Sequence, residues 1–360
     1  MERGRPPART SLTEAAARRG EDARVVEPLI EERRGGALGP AVACVSGVAY
    51  ALPSRSVSVR ELQRDGLLES PAELLEEFGF RSVRVAGSET PYALAKEAGR
   101  RLMRRRGIDP ESVDLLVYGG PQGPTAFTTS PSPAESSASH RTLDRFRYPG
   151  TRLQHDLGLT RASTLGLDQL ACTTLLAAVR LARAMCLAEG LERVLCISSE
   201  FFPADAGRES IFNCTSDAAV AVLVERGGER NRILSAVHVT KGYYWDPGAM
   251  RDEVVASYFP TAKHVLERTM AEACWSPRDV DWVIPHNVSL RSWEILMGLA
   301  GLAGARIWSE NIARVGHTLA GDNFINLADA IDGGVVRPGE RLLLFSYGFG
   351  AHWTGLAIEA

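Results

Sequence analysis

Three residues have side chains and positions that suit acyl-transfer chemistry. Cys172 stands where a predicted strand ends and a long predicted helix begins. The positive end of the helix dipole and the free N–H groups there favour a thiolate, the reactive form of cysteine. His286 follows a strand in the segment DWVIPHN, and His317 lies beside a glycine in VGHTLAGDN. A thiolate takes an acyl group from a thioester, while two histidines can handle protons and stabilise an enolate or oxyanion.

Each of these residues also has a purely structural explanation when it is considered alone. Cys172 would be a small buried residue at the start of a packed helix. His286 would be a satisfied core histidine at a strand end, and His317 would be a cap or core residue. Asp322 would either orient a histidine or place charge in the first turn of the next helix. Only the combination of one cysteine and two histidines predicts thioester chemistry.

The elements that position these residues are predicted to alternate between strands and helices. Apolar runs predict strands at 41–51, 113–118, 163–167, 193–198, 218–224, 233–240, 280–284, 341–345 and 353–358. Helical spacing predicts helices at 59–66, 71–78, 92–106, 152–157, 173–189, 253–274, 290–299 and 321–331. This alternation indicates an α/β fold, with the cysteine in the first half and both histidines in the second.

Two segments have no periodicity that predicts packed structure. Residues 1–36 are rich in Arg and Glu and are interpreted as a flexible N-terminal tail. Residues 121–148 are rich in Pro, Ser and Thr and form a long predicted insertion. Such a loop is either a lid or interface loop over a binding site or a floppy insertion, and the sequence favours neither.

Composition and charge argue against several other classes of protein. The 360 residues carry a formal net charge of −3, so no basic surface for nucleic acid is expected. The six cysteines show no CxxC pair or zinc spacing, so no metal is expected, and the five besides Cys172 are interpreted as buried apolar residues. No apolar run approaches the roughly 20 residues that span a bilayer, and MERGRPPART does not resemble a signal peptide. A cytoplasmic protein without a membrane segment is expected.

The positions of these residues resemble the pattern of the β-ketoacyl-acyl-carrier-protein synthase III family, within the thiolase superfamily. The resemblance runs from Pro40 to Ala360 and is interrupted by the insertion. Its motifs follow the family's order: 45–53, Gly107-Ile108-Asp109-Pro110, Ala171-Cys172, Ser216-Asp217-Ala218-Ala219, Pro285-His286-Asn287, Gly316-His317-Thr318, Arg337-Pro338-Gly339-Glu340 and Tyr347-Gly348-Phe349-Gly350-Ala351. Each motif alone is weak, but their order and spacing are specific.

The resemblance implies a thiolase fold of two similar halves, each with a five-stranded sheet, stacked in alternating layers of helices and sheets. The halves would be 37–228, with the insertion at 121–148, and 229–360. The family is normally a homodimer whose active site lies where the two halves meet. No cofactor is implied.

The resemblance also implies a role for each matched site residue. Cys172 would be the acylated nucleophile, and His286 would handle protons and support enolate formation. The backbone N–H groups of Cys172 and Phe349 would form the oxyanion hole. Supporting positions would be Asn287, Asp322, Gly348 and Gly350.

Departures from the family's pattern bear on the reaction. His317 replaces the family's asparagine, an arrangement similar to the elongating ketosynthases I and II, and a second neutral imidazole would stabilise an enolate. The segment with the tryptophan that stacks on the adenine of coenzyme A is missing, which favours a carrier-protein donor. Phe349 stands where the family has a glycine, and the 121–148 insertion lies near the acyl pocket. These departures indicate a relative in specialised metabolism.

Several functions remain open at this point. In the first, Cys172 takes an acyl group from a thioester of a carrier protein or coenzyme A, and a malonyl-type thioester then loses carbon dioxide and attacks that group. In the second, the acyl group passes without decarboxylation to a hydroxyl or amine of a small molecule. A catalytically silent partner subunit is a third hypothesis, although such subunits usually lack the nucleophile, and a thioesterase is the last.

Overall fold

The structure is a computed structural model that describes residues 42–120, 146–203 and 206–360. The predicted tail at 1–36 and nearly all of the predicted insertion at 121–148 therefore lie outside the described residues. The strands are β1 Ala43–Ala51, β2 Ser56–Ser58, β3 Ser82–Arg84, β4 Leu115–Gly119, β5 Ser163–Leu167, β6 Arg193–Glu200, β7 Glu209–Ser210, β8 Asn213–Cys214, β9 Ala218–Arg226, β10 Arg232–Thr240, β11 Trp282–Pro285, β12 Arg306–Ile307, β13 Arg341–Gly348 and β14 His352–Glu359. The helices are α1 Val59–Arg64, α2 Ala72–Glu77, α3 Pro91–Arg106, α4 Pro149–Asp156, α5 Thr174–Ala188, α6 Arg251–Glu272, α7 Leu290–Leu299, α8 Glu310–Arg314 and α9 Asp322–Asp332.

Every strand and helix predicted from the sequence has a counterpart, shifted by a few residues at its ends. The prediction missed β2, β3, β7, β8, β12 and α8, which are too short to show a periodic pattern. The predicted end of α3 is confirmed, because Gly107 caps it in the left-handed conformation with a φ of 61°.

The main sheet consists of two groups of five strands with the same internal arrangement. The sheet order is β12-β11-β13-β14-β10-β1-β9-β6-β4-β5. In each group three strands are parallel (β5, β4, β6 and β12, β11, β13), and the remaining two continue in antiparallel pairs. The groups meet at β1 and β10 through one pair, Cys44 with Arg232. The predicted boundary at 228/229 lies between β9 and β10, and the division into two halves remains a prediction.

Alternation along the strands assigns their side chains to different helical layers. Val220 of β9 and Leu344 of β13 belong to one core with helices α5 and α9. Leu223 of β9 faces the other way, towards α3 and α4, and Phe345 of β13 faces α6 and α7. Helices α5 and α9 therefore lie between the two strand groups, and α3, α4, α6 and α7 cover the outer faces. This is the alternation of helix and sheet layers expected from the sequence.

The interpretation of five cysteines as buried residues is wrong for one of them. Cys274 is exposed, whereas Cys44, Cys186, Cys196 and Cys214 are buried. Cys274 follows the C-terminus of α6 with a φ of 58°, and the Trp275 N–H bonds the Met270 carbonyl there. The left-handed turn that ends the helix points the thiol to solvent, while Trp275 turns inwards.

One helical stretch resembles a membrane-spanning helix in length and apolar composition more than the sequence suggested. Ala171–Ala188, which contains α5, is long and apolar enough to cross a membrane by length and composition alone. Half of this stretch is buried within the fold, and α5 packs between the two strand groups. Core helices of soluble proteins meet the same criterion, so the stretch is weak evidence for a membrane.

Candidate active site

The predicted nucleophile sits at a tight junction between β5 and α5. Cys172 occupies a single 3-10 turn, Ala171–Thr173, that precedes the α-helix. Ala171 has a φ of 44°, in the left-handed region that residues with a Cβ rarely adopt. Cys172 is 6% exposed and lines a cavity described below.

The end of β13 presses against this junction. A Cβ on Gly348 would lie 2.7 Å from the Leu170 carbonyl oxygen and 2.9 Å from the Cys172 backbone nitrogen. The Ser346 hydroxyl donates a 2.9 Å hydrogen bond to the Cys172 carbonyl. Because only glycine fits at 348, the loop after β13 is held directly against the nucleophile.

Cys172, His317 and Asp322 form a hydrogen-bonded triad. The Cys172 Sγ lies 3.3 Å from His317 Nε2, and His317 Nδ1 lies 2.5 Å from Asp322 Oδ2. The other oxygen of Asp322 accepts hydrogen bonds of 2.6 Å from the Thr318 N–H and hydroxyl, and the Asn287 N–H donates to Oδ2 at 2.6 Å. The carboxylate is fully buried and thereby orients the imidazole. Of the two roles open for Asp322, the structure supports the orientation of a histidine.

Neighbouring charges dominate the electrostatic environment of His317. Burial by itself lowers the pKa of His317, but the Asp322 carboxylate and the charge on Cys172 outweigh it and raise the pKa well above its ordinary value. This shift favours the imidazolium form of His317 in the unloaded site. A protonated imidazole beside a sulfur stabilises a thiolate, as in other cysteine nucleophiles.

His286 faces the same site, and no carboxylate of the described residues bonds it. It follows β11, and the Trp293 indole donates a 3.0 Å hydrogen bond to its carbonyl. The His286 and His317 rings are 6.0 Å apart and nearly perpendicular. Burial, reinforced by the charge of His317, lowers the pKa of His286 to about 3. His286 is therefore a neutral imidazole at physiological pH.

Asn287 connects the segments that carry the two histidines. Its side-chain N–H donates to the Gly316 carbonyl at 2.7 Å, and its side-chain oxygen accepts from Asn326 at 2.8 Å. These bonds are buried and fix the distance between the residues that follow β11 and the turn before α9. The predicted supporting role of Asn287 thus has a structural basis.

The three predicted catalytic residues open onto one cavity of about 450 Å³. Its walls are mainly apolar, and the lining includes Phe78, Cys172, Glu200, Phe202, Phe212, Val254, Val255, Tyr258, Phe259, His286, Ile295, His317, Tyr347 and Phe349. Phe212, Val255 and Ile295 are each at least 40% exposed and mark its mouth. A larger cavity of about 630 Å³ lies elsewhere and contains neither Cys172 nor a histidine.

The glycine-rich loop after β13 contributes to the wall of the cavity. The Phe349 ring lines it, 5.9 Å from the Tyr347 ring. Gly350 has a φ of 129°, and a Cβ there would meet His352 Nε2 at 2.6 Å, so glycine is required by the backbone. The role of the Phe349 N–H in an oxyanion hole remains a prediction.

Sequence reasoning missed polar residues that line the cavity. Glu200 ends β6, and burial raises the pKa of its carboxyl to about 7. Tyr258 and Tyr347 also line the cavity. An acidic residue at the end of the buried run RVLCISSE was a usable signal for Glu200. Tyr258 gave none, because it resembles an ordinary core aromatic residue, and Tyr347 was noted only as the first residue of a family motif.

Two family models match the segments that carry the site. One, described as 3-oxoacyl-[acyl-carrier-protein] synthase III, matches residues 168–242, and its C-terminal counterpart matches residues 270–360. The first match contains Cys172, and the second contains His286 and His317.

Curated relatives and solved structures agree with these matches. The chain is 30% identical over 345 residues to β-ketoacyl-[acyl-carrier-protein] synthase III 2 of Streptomyces coelicolor, covering 90% of this chain and 95% of that one. The priming β-ketosynthase of the R1128 polyketide pathway superposes with a TM-score of 0.70 at 22% identity, covering 90% and 98% of the two chains. ChlB3, an acyltransferase, gives a TM-score of 0.74 at 22% identity, covering 89% and 98%. These neighbours confirm the predicted thiolase fold.

Proposed function

The chain belongs to the β-ketoacyl-acyl-carrier-protein synthase III family, and we propose that it catalyses decarboxylative condensation through an acyl-Cys172 intermediate. It is thus a ketosynthase of the acyltransferase class. The observation that carries the proposal is the triad of Cys172, His317 and Asp322, with neutral His286 facing the same apolar cavity. The catalytic assignments below are proposals that this geometry supports.

Loading uses the charge already present in the triad. The Cys172 thiolate attacks the carbonyl of an acyl thioester, and the carbon–sulfur bond to the donor breaks. The departing thiolate takes the proton from His317, which becomes neutral while its Nδ1–H stays bonded to Asp322. The backbone N–H groups of Cys172 and Phe349 receive the tetrahedral oxyanion.

Condensation follows with a malonyl-type thioester. Its bond to the carboxylate breaks, carbon dioxide leaves, and the electron pair moves onto the thioester oxygen as an enolate. The enolate carbon attacks the acyl carbonyl, and the bond to the Cys172 sulfur breaks to restore the thiolate. His286 donates a hydrogen bond to the enolate oxygen, and a proton from solvent restores the His317 imidazolium.

A second candidate function is acyl transfer to a hydroxyl or amine. The observation that favours it is the bond between Asp322 and His317, which leaves the Nε2 lone pair of the loaded enzyme beside the acyl group. A histidine backed by a carboxylate is suited to act as general base on an acceptor. This reaction would need no enolate and therefore no help from His286.

The acyl donor, the oligomeric state and the location complete the proposal. We assign an acyl thioester of a carrier protein or coenzyme A to the cavity. Its apolar mouth suits an acyl chain and the flexible thiol-bearing arm of the donor. The missing tryptophan segment favours the carrier protein. A cytoplasmic homodimer in specialised metabolism, without a resident cofactor, is proposed from the family.

One experiment separates these functions. Purified protein is incubated with a panel of acyl thioesters, and the adduct is measured by intact mass, with Cys172→Ala as the control. Malonyl carrier protein or malonyl-CoA is then added, and carbon dioxide release is followed.

A Cys172-dependent adduct that consumes the malonyl thioester with carbon dioxide release supports condensation. An adduct that decays only when a hydroxyl or amine acceptor is present supports acyl transfer, and decay in water alone supports a thioesterase. Absence of any adduct, with a Cys172→Ala protein that still supports product formation in a complex, would support a silent subunit.

A further inference from the structure

Tyr258 brings a hydroxyl to the part of the cavity where His286 lies. It extends from α6, and its oxygen is 3.5 Å from His286 Nε2. That distance is too long for a strong hydrogen bond, so both groups can bond a third atom placed between them. Edge-to-face contacts with Phe259 and Tyr347, at centroid distances of 5.0 and 5.3 Å, fix the Tyr258 ring.

Both groups have a proton to donate. His286 Nδ1 is buried and has no hydrogen-bond partner within the part of the chain that the structure describes. An unused acceptor is tolerated in a core better than an orphaned N–H, so the proton of the neutral ring is assigned to Nε2. Burial raises the pKa of Tyr258, so its hydroxyl keeps its proton. Two donors therefore face one region of the cavity.

His317 does not compete for this role. Its Nε2 lies 3.3 Å from the Cys172 Sγ, and its Nδ1 is bonded to Asp322. Of the two histidines, only His286 thus remains to donate to a second substrate. A site that stabilises an oxyanion usually uses two or more donors, each about 2.7–3.1 Å from the oxygen. Two donor atoms that are 3.5 Å apart can both reach one oxygen at that distance.

We propose that Tyr258 is a further catalytic residue, whose O–H donates together with His286 Nε2–H to the thioester oxygen of the malonyl-type donor. As the bond to the carboxylate breaks and carbon dioxide leaves, the electron pair moves to this oxygen, and both hydrogen bonds strengthen. No proton is transferred, and the enolate then attacks the acyl carbonyl on Cys172. This inference rests on the proposed condensation and adds a named residue to it.

The test compares Tyr258→Phe with wild-type protein in two separate half-reactions. Acyl-Cys172 formation is timed by intact mass, and carbon dioxide release from malonyl carrier protein and malonyl-CoA is timed on the loaded enzyme. Phenylalanine keeps the ring packing, so the fold is preserved. We expect the loading rate to stay within about threefold, and carbon dioxide release to fall by roughly 10²-fold, the usual cost of one lost oxyanion donor.

Tyr347→Phe is the matched comparison. Tyr347 lines the same cavity, and its hydroxyl has no hydrogen-bond partner among the described residues. We expect Tyr347→Phe to reduce the rate of carbon dioxide release by a much smaller factor than Tyr258→Phe does. An equal loss in both variants would assign the effect to general polarity of the cavity and would overturn the proposal.

The remaining outcomes distinguish this inference from the proposed function. If wild-type enzyme condenses and Tyr258→Phe releases carbon dioxide at the same rate, Tyr258 has no catalytic role and the proposed function stands. If wild-type enzyme loads an acyl group but releases no carbon dioxide from either malonyl thioester, the condensation itself fails, and the assignment of Tyr258 fails with it.

Discussion

His286 and His317 are two buried imidazoles, 6.0 Å apart, whose pKa values are shifted in opposite directions. His317 has a carboxylate at 2.5 Å and a sulfur at 3.3 Å, and its pKa is raised. His286 has a tyrosine hydroxyl at 3.5 Å and aromatic neighbours, and its pKa is lowered to about 3. Burial lowers the pKa of both residues, so the neighbouring charges decide the difference.

The difference between their pKa shifts indicates that two histidines in one cavity can have different functions. An imidazolium beside the nucleophile suits loading, because it stabilises the thiolate and can protonate the leaving thiol. A neutral imidazole that donates from Nε2 suits the enolate of the second step, because it stabilises charge without transferring a proton. The predictions below separate the two roles.

The largest expected effect comes from Asp322→Asn, which removes the charge that distinguishes His317. The amide retains the size of the side chain but no longer favours the imidazolium. We expect acyl-Cys172 formation to slow by roughly 10³- to 10⁴-fold, as is typical when the acid of a triad is neutralised. Asp332→Asn, on the exposed end of the same helix, should load at the wild-type rate. Normal loading by Asp322→Asn, timed by intact mass, would refute the role of the carboxylate.

The next largest effect is expected for His286→Gln, which should affect the other half-reaction. Loading should stay near the wild-type rate, while carbon dioxide release falls by roughly 10²- to 10³-fold because the enolate loses a donor. His264→Gln changes an exposed histidine on α6 and serves as the control. If His286→Gln slows loading and carbon dioxide release equally, the two histidines do not serve different half-reactions.

The pH dependence of stability should have opposite slopes for the two residues. For His286, whose folded pKa of about 3 lies below the unfolded value, the stabilising effect is present above about pH 6.5 and is lost as the pH falls towards 3. Relative to His286→Gln, wild-type protein should therefore lose about 2 kcal/mol of unfolding free energy between pH 7 and pH 5.

His317 should behave in the reverse way. Its raised pKa means that its contribution is complete below about pH 6.5 and is lost as the pH rises through the folded pKa. Urea unfolding of wild-type protein, His286→Gln and His317→Gln at pH values both below and above about 6.5 measures both slopes. Parallel curves for the two variants would contradict the opposite shifts of the two pKa values.

The smallest effect is expected for Asn287→Ala, which loosens the link between the two histidine segments. The variant loses the bond to the Gly316 carbonyl and leaves Asn326 with one partner fewer. Unfilled buried hydrogen bonds of this kind cost about 1–3 kcal/mol, and we expect a loss in that range by urea unfolding. Activity should fall modestly in both half-reactions, since neither histidine loses its own partner. A selective loss of one half-reaction would contradict a purely linking role.

The sequence predicted which residues meet but not how they are charged. Cys172, His286 and His317 follow recognisable strand ends and turns, so their approach to one another follows from the order of elements. The bond between His317 and Asp322 depends on a turn in which Leu319 has a φ of 58°, and sequence spacing does not reveal that geometry. The difference between the two pKa values depends on this bond, so it could not be predicted from the spacing of the residues.

Residues outside the motifs were predicted least well. Tyr258 lies on an amphipathic helix where an aromatic residue normally means core packing, and only the fold brings its hydroxyl to His286. Cys274 was interpreted as buried because its neighbours are apolar. The left-handed turn after the helix instead leaves its thiol exposed to solvent. Main elements were predicted well because their periodicity is local, whereas these contacts depend on tertiary packing.

The measurement that tests the central claim most directly is the protonation state of the two rings. Protein labelled with ¹⁵N-histidine contains seven histidines, and His286→Gln and His317→Gln variants assign the two signals in imidazole nitrogen spectra near pH 7. We predict that both nitrogens of His317 carry protons, whereas only Nε2 of His286 does. A neutral His317, or two rings in the same charge state, would contradict the division of roles between the two histidines.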